Sequence, residues 1–177
     1  RASGIACPCV SVGSTPTAHF AQNLDGVSEV RAGVYVFFDL VMHGVGVCSL
    51  DDIALSVVTT VIGERRDKGW LFVDAGWMAL SQDRSTARQT TDQGCGLVCT
   101  IEGVVIEDLI VASTNQEHGI VAMRQDCGKR LPELAIGTRL RILPNHACAT
   151  AAQFESYHLY SDTHPGLYQV WPRMRGW

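Results

Sequence analysis

The stretch "ILPNHACAT", residues 142–150, places two metal-binding side chains two positions apart, His146 and Cys148. A neutral imidazole and a thiolate together suit zinc. Donors at i and i+2 in an extended or turning segment can point to one side. Pro144 just upstream and the small residues just downstream favour a turn here. Two protein ligands leave positions open for water and substrate, as in a catalytic metal site rather than a structural one. Taken alone, His-x-Cys also fits a buried turn that happens to hold a thiol.

A second set of residues suits an anion. "IACPCVSVGSTPT" is an apolar run leading into Gly13, Ser14 and Thr15, and about twenty residues later "EVRAGVYVFFD" repeats the idea with Gly33 and Val34. Glycine lets a backbone approach a ligand closely, and hydroxyls backed by the N–H groups of a helix start suit a phosphate. In parallel (β/α)8 barrels the phosphate site commonly lies after strands seven and eight. The competing reading is a plain Gly-Ser-Thr-Pro turn.

The elements that must position these groups read mostly as β. Expected strands are 5–12, 34–41, 55–62, 70–74, 96–101, 105–111, 120–124, 138–143, 157–160 and 168–171, short, rich in Val and Ile, and separated by Gly, Asp, Asn and Pro. Short helices are expected over 15–23, with Pro16 in the first turn, and over 148–156, with Asn145 near its start. Asp51 and Asp52 open a turn. Short strands at regular spacing point to a β-barrel or sandwich.

Composition narrows the class. A chain of 177 residues with 46% hydrophobic residues is long enough for one domain with a proper core, or one and a half. A net charge of -4 provides no basic field for nucleic acid. The longest apolar runs, such as residues 53–62, are too short to span a bilayer as a helix. The N-terminus lacks the basic start and apolar centre of a signal peptide, so a cytoplasmic protein with reduced thiols is expected. It also lacks an initiator Met, which reads as a cut or processed chain. The seven cysteines, Cys7, Cys9, Cys48, Cys95, Cys99, Cys127 and Cys148, are odd in number and mostly suit buried apolar positions.

"VSVGSTPT", "EVRAGVYVFFD", "VDAGWMALSQDR", "NQEHG" and "LRILPNHACAT" resemble, in this order, segments of the pyridoxal-phosphate enzymes of the D-serine dehydratase and D-threonine aldolase group, distant relatives of alanine racemase. The resemblance runs from Pro8 to Trp177. It implies a mainly β chain, with the last two strands of a (β/α)8 barrel over residues 1–45 and a C-terminal β-barrel-like domain over residues 46–177. It also implies that Gly13, Ser14, Thr15, Gly33 and Val34 hold the phosphate of pyridoxal 5'-phosphate. His146 and Cys148 would then hold a divalent metal, zinc first and manganese second.

By the same resemblance the substrate is a D-amino acid with a 3-hydroxyl, the metal acts on that hydroxyl, and the enzyme is a homodimer. Cys148 tilts the reading towards a dehydratase, because aldolase-like members tend to carry Asp there. Glu117 and His118 either orient His146, line the substrate side, or form a solvent-facing loop pair. Asp74 and Asp83-Arg84 read as structural or interfacial. The lysine that carries the cofactor belongs near the start of the N-terminal barrel. This chain has only Lys68 and Lys129, both in polar loops, so the polypeptide alone is expected to be inactive. Three rival readings are aldolase-like cleavage, a metal-free racemase relative and a non-catalytic β-barrel module.

Overall fold

The computed structural model describes residues 3–161 and 168–174. Residues 162–167 and 175–177 of the expected second domain lie outside the described residues.

Two short strands, β1 (Ser11–Gly13) and β2 (Glu29–Arg31), pair in parallel, with Val12 opposite Val30. Between them runs helix α1 (Thr15–Phe20), capped by the Ser14 hydroxyl, which accepts from the Thr17 N–H at 3.0 Å. Parallel strands need a crossover connection, and α1 lies within it. The strand expected over 5–12 is shorter than expected, because β2 offers ladder partners only to Ser11, Val12 and Gly13. Ile5, without that cover, is 71% exposed.

The strand expected over 34–41 does not form. A 3-10 turn occupies Val34–Val36 and a short helix, α2, occupies Leu40–Gly44. Phe38 takes a left-handed conformation, φ 52°, which breaks any extended run. The Asp39 carboxylate then accepts from the Met42 N–H at 2.9 Å, so N-capping overrides the strand preference of the valines and aromatics.

Downstream, six antiparallel strands close into a barrel. They are β3 (Val57–Arg65), β4 (Trp70–Val73), β5 (Gly96–Thr100), β6 (Val105–Thr114), β7 (Gly119–Met123) and β8 (Arg139–Pro144), in the order β3-β4-β7-β6-β5-β8. This confirms the barrel alternative over the sandwich. Closure removes the free strand edges. Side chains alternate along β3: Val57, Thr59 and Val61 face inward and are buried, while Val58 and Ile62 are exposed. The inward side chains meet Leu71, Val73, Val98, Leu109, Val111, Val121, Leu140 and Ile142 in one core.

β5 is buried on both faces. Its outward residues Leu97 and Cys99 pack with Leu40, Ile53, Ile110 and Leu143, so α2 and the segment after it cover the barrel wall. Leu40 has no exposed surface, and burying such a side chain is worth about 1.5–3 kcal/mol. Burial pushes the Cys99 thiol up to about 11, against a smaller lowering by the neighbouring Arg141 guanidinium. A raised folded-state value means that stability from this group is complete below the unfolded thiol range and is lost as pH climbs through the folded value. Between pH 9 and 11 the denaturation midpoint of the native protein is therefore expected to fall more steeply than that of Cys99→Ala. Urea unfolding at stepped pH measures this, and equal slopes contradict it.

Short helices α3 (Trp77–Leu80) and α4 (Ala147–Ala151), with 3-10 turns at Arg66–Lys68 and Ser85–Arg88, complete the barrel's connections. The helix expected over 148–156 starts one residue earlier and stops at Ala151. A final hairpin pairs β9 (Ser156–Tyr160) with β10 (Tyr168–Pro172). Among the described residues no helix is long and apolar enough to cross a membrane.

Candidate functional site

β8 ends at Pro144, whose missing N–H marks the end of its ladder with β5. Asn145 and His146 turn the chain into α4. His146 is the extended N-cap residue of α4, with φ -135° and ψ 104°, and Cys148 is the second residue inside the helix. The chain thus passes from extended to helical between the two donors. The His146 side chain is 43% exposed and Cys148 is exposed, so both are open to solvent and to an ion.

One nitrogen of His146 is already committed. Its Nδ1 lies 3.0 Å from Oδ2 of Asp83, across 63 residues of sequence. A carboxylate at Nδ1 fixes the ring tautomer with the proton there, leaving Nε2 as the free donor atom, the usual outer support of a metal-binding histidine. Burial by itself would raise the Asp83 carboxyl, but the Ser85 hydroxyl and N–H and the His146 ring outweigh it and hold Asp83 below its ordinary value. The Ser85 N–H donates to Oδ1 at 2.8 Å, which leaves Oδ2 for the imidazole. Asp83 therefore serves the ring as an anion. Sequence reading assigned it no chemistry, since only the fold brings residues 83 and 146 together.

The other half of the pair is anchored from the far end of the chain. The Ala147 N–H, at the first turn of α4, donates to Oδ2 of Asp39 at 2.9 Å, while Oδ1 of Asp39 caps α2. Asp39 is 1% exposed. One buried carboxylate thus satisfies two helix starts, one of them through an N–H 108 residues away in sequence, and ties the turn after Val34 to the helix that carries Cys148. Thr150 adds a second tie, its hydroxyl donating to the Leu80 carbonyl at 2.8 Å.

Glu117 and His118 lie in the turn between β6 and β7. His118 Nε2 is 3.0 Å from Asn115 Nδ2, and Glu117 accepts from the Gln116 amide at 3.1 Å. The carboxylate that supports His146 is Asp83, not Glu117. Among the described residues, no group of three or more His, Cys, Asp or Glu side chains is arranged to hold a metal ion. The pair His146 and Cys148 nonetheless fits a divalent metal by the chemistry of its donors: one imidazole with its second nitrogen supported and one exposed sulfur.

The phosphate candidates also come together. The Tyr35 N–H donates to the Thr15 hydroxyl at 3.1 Å, joining the Ser14-Thr15 turn to the Gly33-Val34 turn. A Cβ added to Gly33 would meet nothing within 4 Å, so the backbone there is open to a close ligand. Thr15 and Val34 are first residues of short helical segments, whose N–H groups have no intrahelical acceptor. Gly13 differs, because a Cβ there would run into the Arg31 guanidinium at 2.9 Å, and Arg31 bonds the Ser11 hydroxyl. These residues fit a phosphate at the Thr15, Gly33 and Val34 edge.

Both lysines are engaged elsewhere. Lys129 is paired with Glu107 at 2.6 Å and Asp108 at 2.9 Å, and these bonds raise its ammonium above the usual value. Lys68 lies over the Trp70 ring, 4.8 Å from its centroid, at the β3–β4 turn.

Residues 54–160 match the family model described as "Putative serine dehydratase domain". The chain belongs to this family. The chain is 57% identical over its whole length to a D-threo-3-hydroxyaspartate dehydratase of a Delftia species, covering 47% of that protein. It is 32% identical over 92% of its length to the D-serine dehydratase of Dictyostelium discoideum, covering 42% of it. It therefore spans less than half the length of these relatives, and it is their C-terminal part that it matches.

Among solved structures, a variant of the D-threo-3-hydroxyaspartate dehydratase with a histidine replaced by alanine superposes with a TM-score of 0.88 at 56% identity, over 100% of this chain and 46% of that one. A second variant, with alanine for a cysteine two positions further on, was solved in the metal-free form. An alanine racemase-like protein of Idiomarina loihiensis gives 0.87 at 51% identity, over 99% of this chain and 46% of its own. D-Threonine aldolase of Filomicrobium marinum, at 22% identity and 0.65, shares the fold over 97% of this chain and 42% of that one.

Proposed function

We propose that the chain is the C-terminal portion of a pyridoxal-phosphate- and metal-dependent lyase that removes water from 3-hydroxy D-amino acids by β-elimination. The observation that carries this reading is the turn after β8, where Asp83 supports His146 and Asp39 anchors the helix of Cys148. The His-x-Cys spacing is that of the two alanine replacements in the dehydratase variants, one of which was solved metal-free. The greater identity to the D-threo-3-hydroxyaspartate dehydratase than to the D-serine dehydratase favours a substrate with a second carboxylate.

When bound, pyridoxal phosphate supplies an electron sink at Cα and the metal supplies a Lewis acid at the 3-hydroxyl. The chain's own residues do the rest. His146 Nε2 and Cys148 Sγ hold the metal, zinc before manganese. Asp83 keeps the proton on Nδ1, so the Nε2 lone pair would be the one available to a metal. Thr15, Gly33 and Val34, with Ser14 and Gly13 shaping the loop, hold the phosphate at the end of β1 and β2. We assign residues 1–45 to the end of a (β/α)8 barrel and residues 46–177 to the β domain. The lysine that carries the cofactor is supplied outside this chain, because Lys68 and Lys129 are held in surface contacts. The isolated chain is therefore inactive, and the intact enzyme is a cytoplasmic homodimer.

The test is direct. The intact protein, given D-threo-3-hydroxyaspartate or D-serine, is expected to release ammonia and a 2-oxo acid, to lose that activity on chelation, and to regain it with zinc. Full ammonia release in a chelator overturns the metal dependence, interconversion of D- and L-amino acid without ammonia favours the metal-free racemase relative, and no turnover of any 3-hydroxy D-amino acid favours a non-catalytic module. Retro-aldol products would favour aldolase-like cleavage.

The phosphate edge gives a separate expectation. Thr15→Val removes a hydroxyl that can donate to the phosphate and leaves the Tyr35 N–H without its acceptor. Cofactor affinity of the intact protein is expected to fall by about 1–3 kcal/mol, read by fluorescence titration with pyridoxal phosphate. Unchanged affinity would make this loop only a turn.

A further inference from the structure

Asn145 precedes His146, and its side chain points away from α4 into the protein. It is 2% exposed, and three protein groups use its amide. Its Nδ2 donates to the Gly94 carbonyl at 2.7 Å and to the Asp83 carbonyl at 2.9 Å, and its Oδ1 accepts from the Thr86 hydroxyl at 3.0 Å. All three partners lie on the segment between α3 and β5. That segment is also fixed from behind: Gly94 has φ +62°, and a Cβ there would approach the Val111 carbonyl to 2.4 Å.

The consequence is geometric. Asp83 supports His146 only if residue 83 stays in register with residue 146, and those residues belong to different loops of the barrel's end. The direct link between their side chains is a single contact between partly exposed groups, too weak to hold two loops together by itself. The link that holds them is buried and bidentate in its donors, and it attaches to the backbone of Asp83 itself. A carboxamide is required, because only that group offers two donors to two carbonyls and one acceptor to a hydroxyl.

We propose that Asn145 is the positioning residue of the metal pair: it clamps the 83–94 segment to the end of β8 so that the Asp83 carboxylate stays on His146 Nδ1. This rests on the reading of His146 and Cys148 as metal ligands, and it adds a residue that touches neither metal nor substrate.

A double-mutant cycle on zinc affinity tests it, using the metal-free intact protein competing with a chromogenic chelator and read without turnover. Asp83→Ala and Asn145→Ala are each expected to weaken zinc binding by roughly 10–100-fold. The double variant is expected to bind no more weakly than the worse single one, because Asn145 acts through Asp83. Asn145→Asp fills the same volume and keeps the acceptor for Thr86 but turns an oxygen towards two carbonyls. It is expected to match the alanine variant, and it gives the reading if the alanine variant does not fold. Thr59→Val, which removes a buried hydroxyl bonded to Asp74 at 2.6 Å elsewhere in the barrel, is expected to leave zinc affinity unchanged.

Cobalt provides a second signal, since the thiolate-to-metal absorption band of Cys148 should broaden and weaken in the Asn145 variants. Wild-type affinity in both Asn145 variants overturns the proposal. So does a double variant whose loss equals the product of the single losses, or an equal loss in Thr59→Val. If the native protein binds no zinc, or binds it equally with His146→Ala, the ligand assignment itself falls, and the positioning role falls with it.

Discussion

In the intact protein, His146→Ala and Cys148→Ala are each expected to lower dehydration of a 3-hydroxy D-amino acid by roughly a thousandfold, about 4 kcal/mol of barrier, while leaving the cofactor's visible absorption in place. Two separate parts of the chain make the split possible. Thr15, Gly33 and Val34 gather at the ends of β1 and β2, joined by the Tyr35–Thr15 bond. His146 and Cys148 stand at the end of β8. On the proposed assignment, loss of either donor would remove the Lewis acid at the leaving hydroxyl and leave the proposed phosphate turn undisturbed. Added zinc should restore the chelated native protein and neither variant. Cys148→Asp keeps an anionic ligand but replaces soft sulfur by hard oxygen, so zinc affinity should drop, manganese should be favoured, and retro-aldol cleavage should rise relative to dehydration. Spectra and initial rates on the same samples decide the matter. Alanine variants with full activity in a chelator would reduce the His-x-Cys stretch to a turn.

Asp39→Ala is expected to destabilise the intact protein by about 2–4 kcal/mol, because two helix N-termini lose the same acceptor. The Met42 N–H at α2 and the Ala147 N–H at α4 both bond this carboxylate at 2.9 Å, and the site is too buried for water to replace it freely. The loss should have a functional side as well. Without Asp39 the first turn of α4 is released, Cys148 loses its fixed position, and zinc should leave faster in chelator chase. Asp39→Asn keeps one oxygen and should bridge only one of the two helices, so its stability should fall between the native and alanine proteins. Equilibrium urea unfolding gives the first number and metal release the second. A native-like midpoint in Asp39→Ala would show that the bridge is dispensable.

Much of the barrel was legible in the residues because strand patterning is local. Runs rich in Val and Ile, such as residues 57–62, bounded by turn residues mark strands without knowledge of their partners, whereas only the closed barrel decided that Val57, Thr59 and Val61 face inward and Val58 and Ile62 outward. The stretch 34–41 misled for the complementary reason: its valines and aromatics favour a strand, yet the Asp39 cap and the left-handed Phe38 turn it into helical segments. The candidate donors His146, Cys148, Ser14, Thr15 and Gly33 were chosen on residue type and spacing, which are local as well.

The chain by itself determined which atoms are available for chemistry: an imidazole and a thiol at the start of α4, and hydroxyls and a glycine in two short turns. Only the tertiary structure decided how they are held. Asp83 reaches His146 across 63 residues, Asp39 reaches α4 across 108, and Asn145 reaches Asp83 across 62. No periodicity or local motif encodes such pairs, because the tertiary fold is what brings the loop before β5, the start of α2 and the end of β8 to one place. Local patterning is set by neighbours along the chain, whereas the support of a ligand is set by neighbours in space.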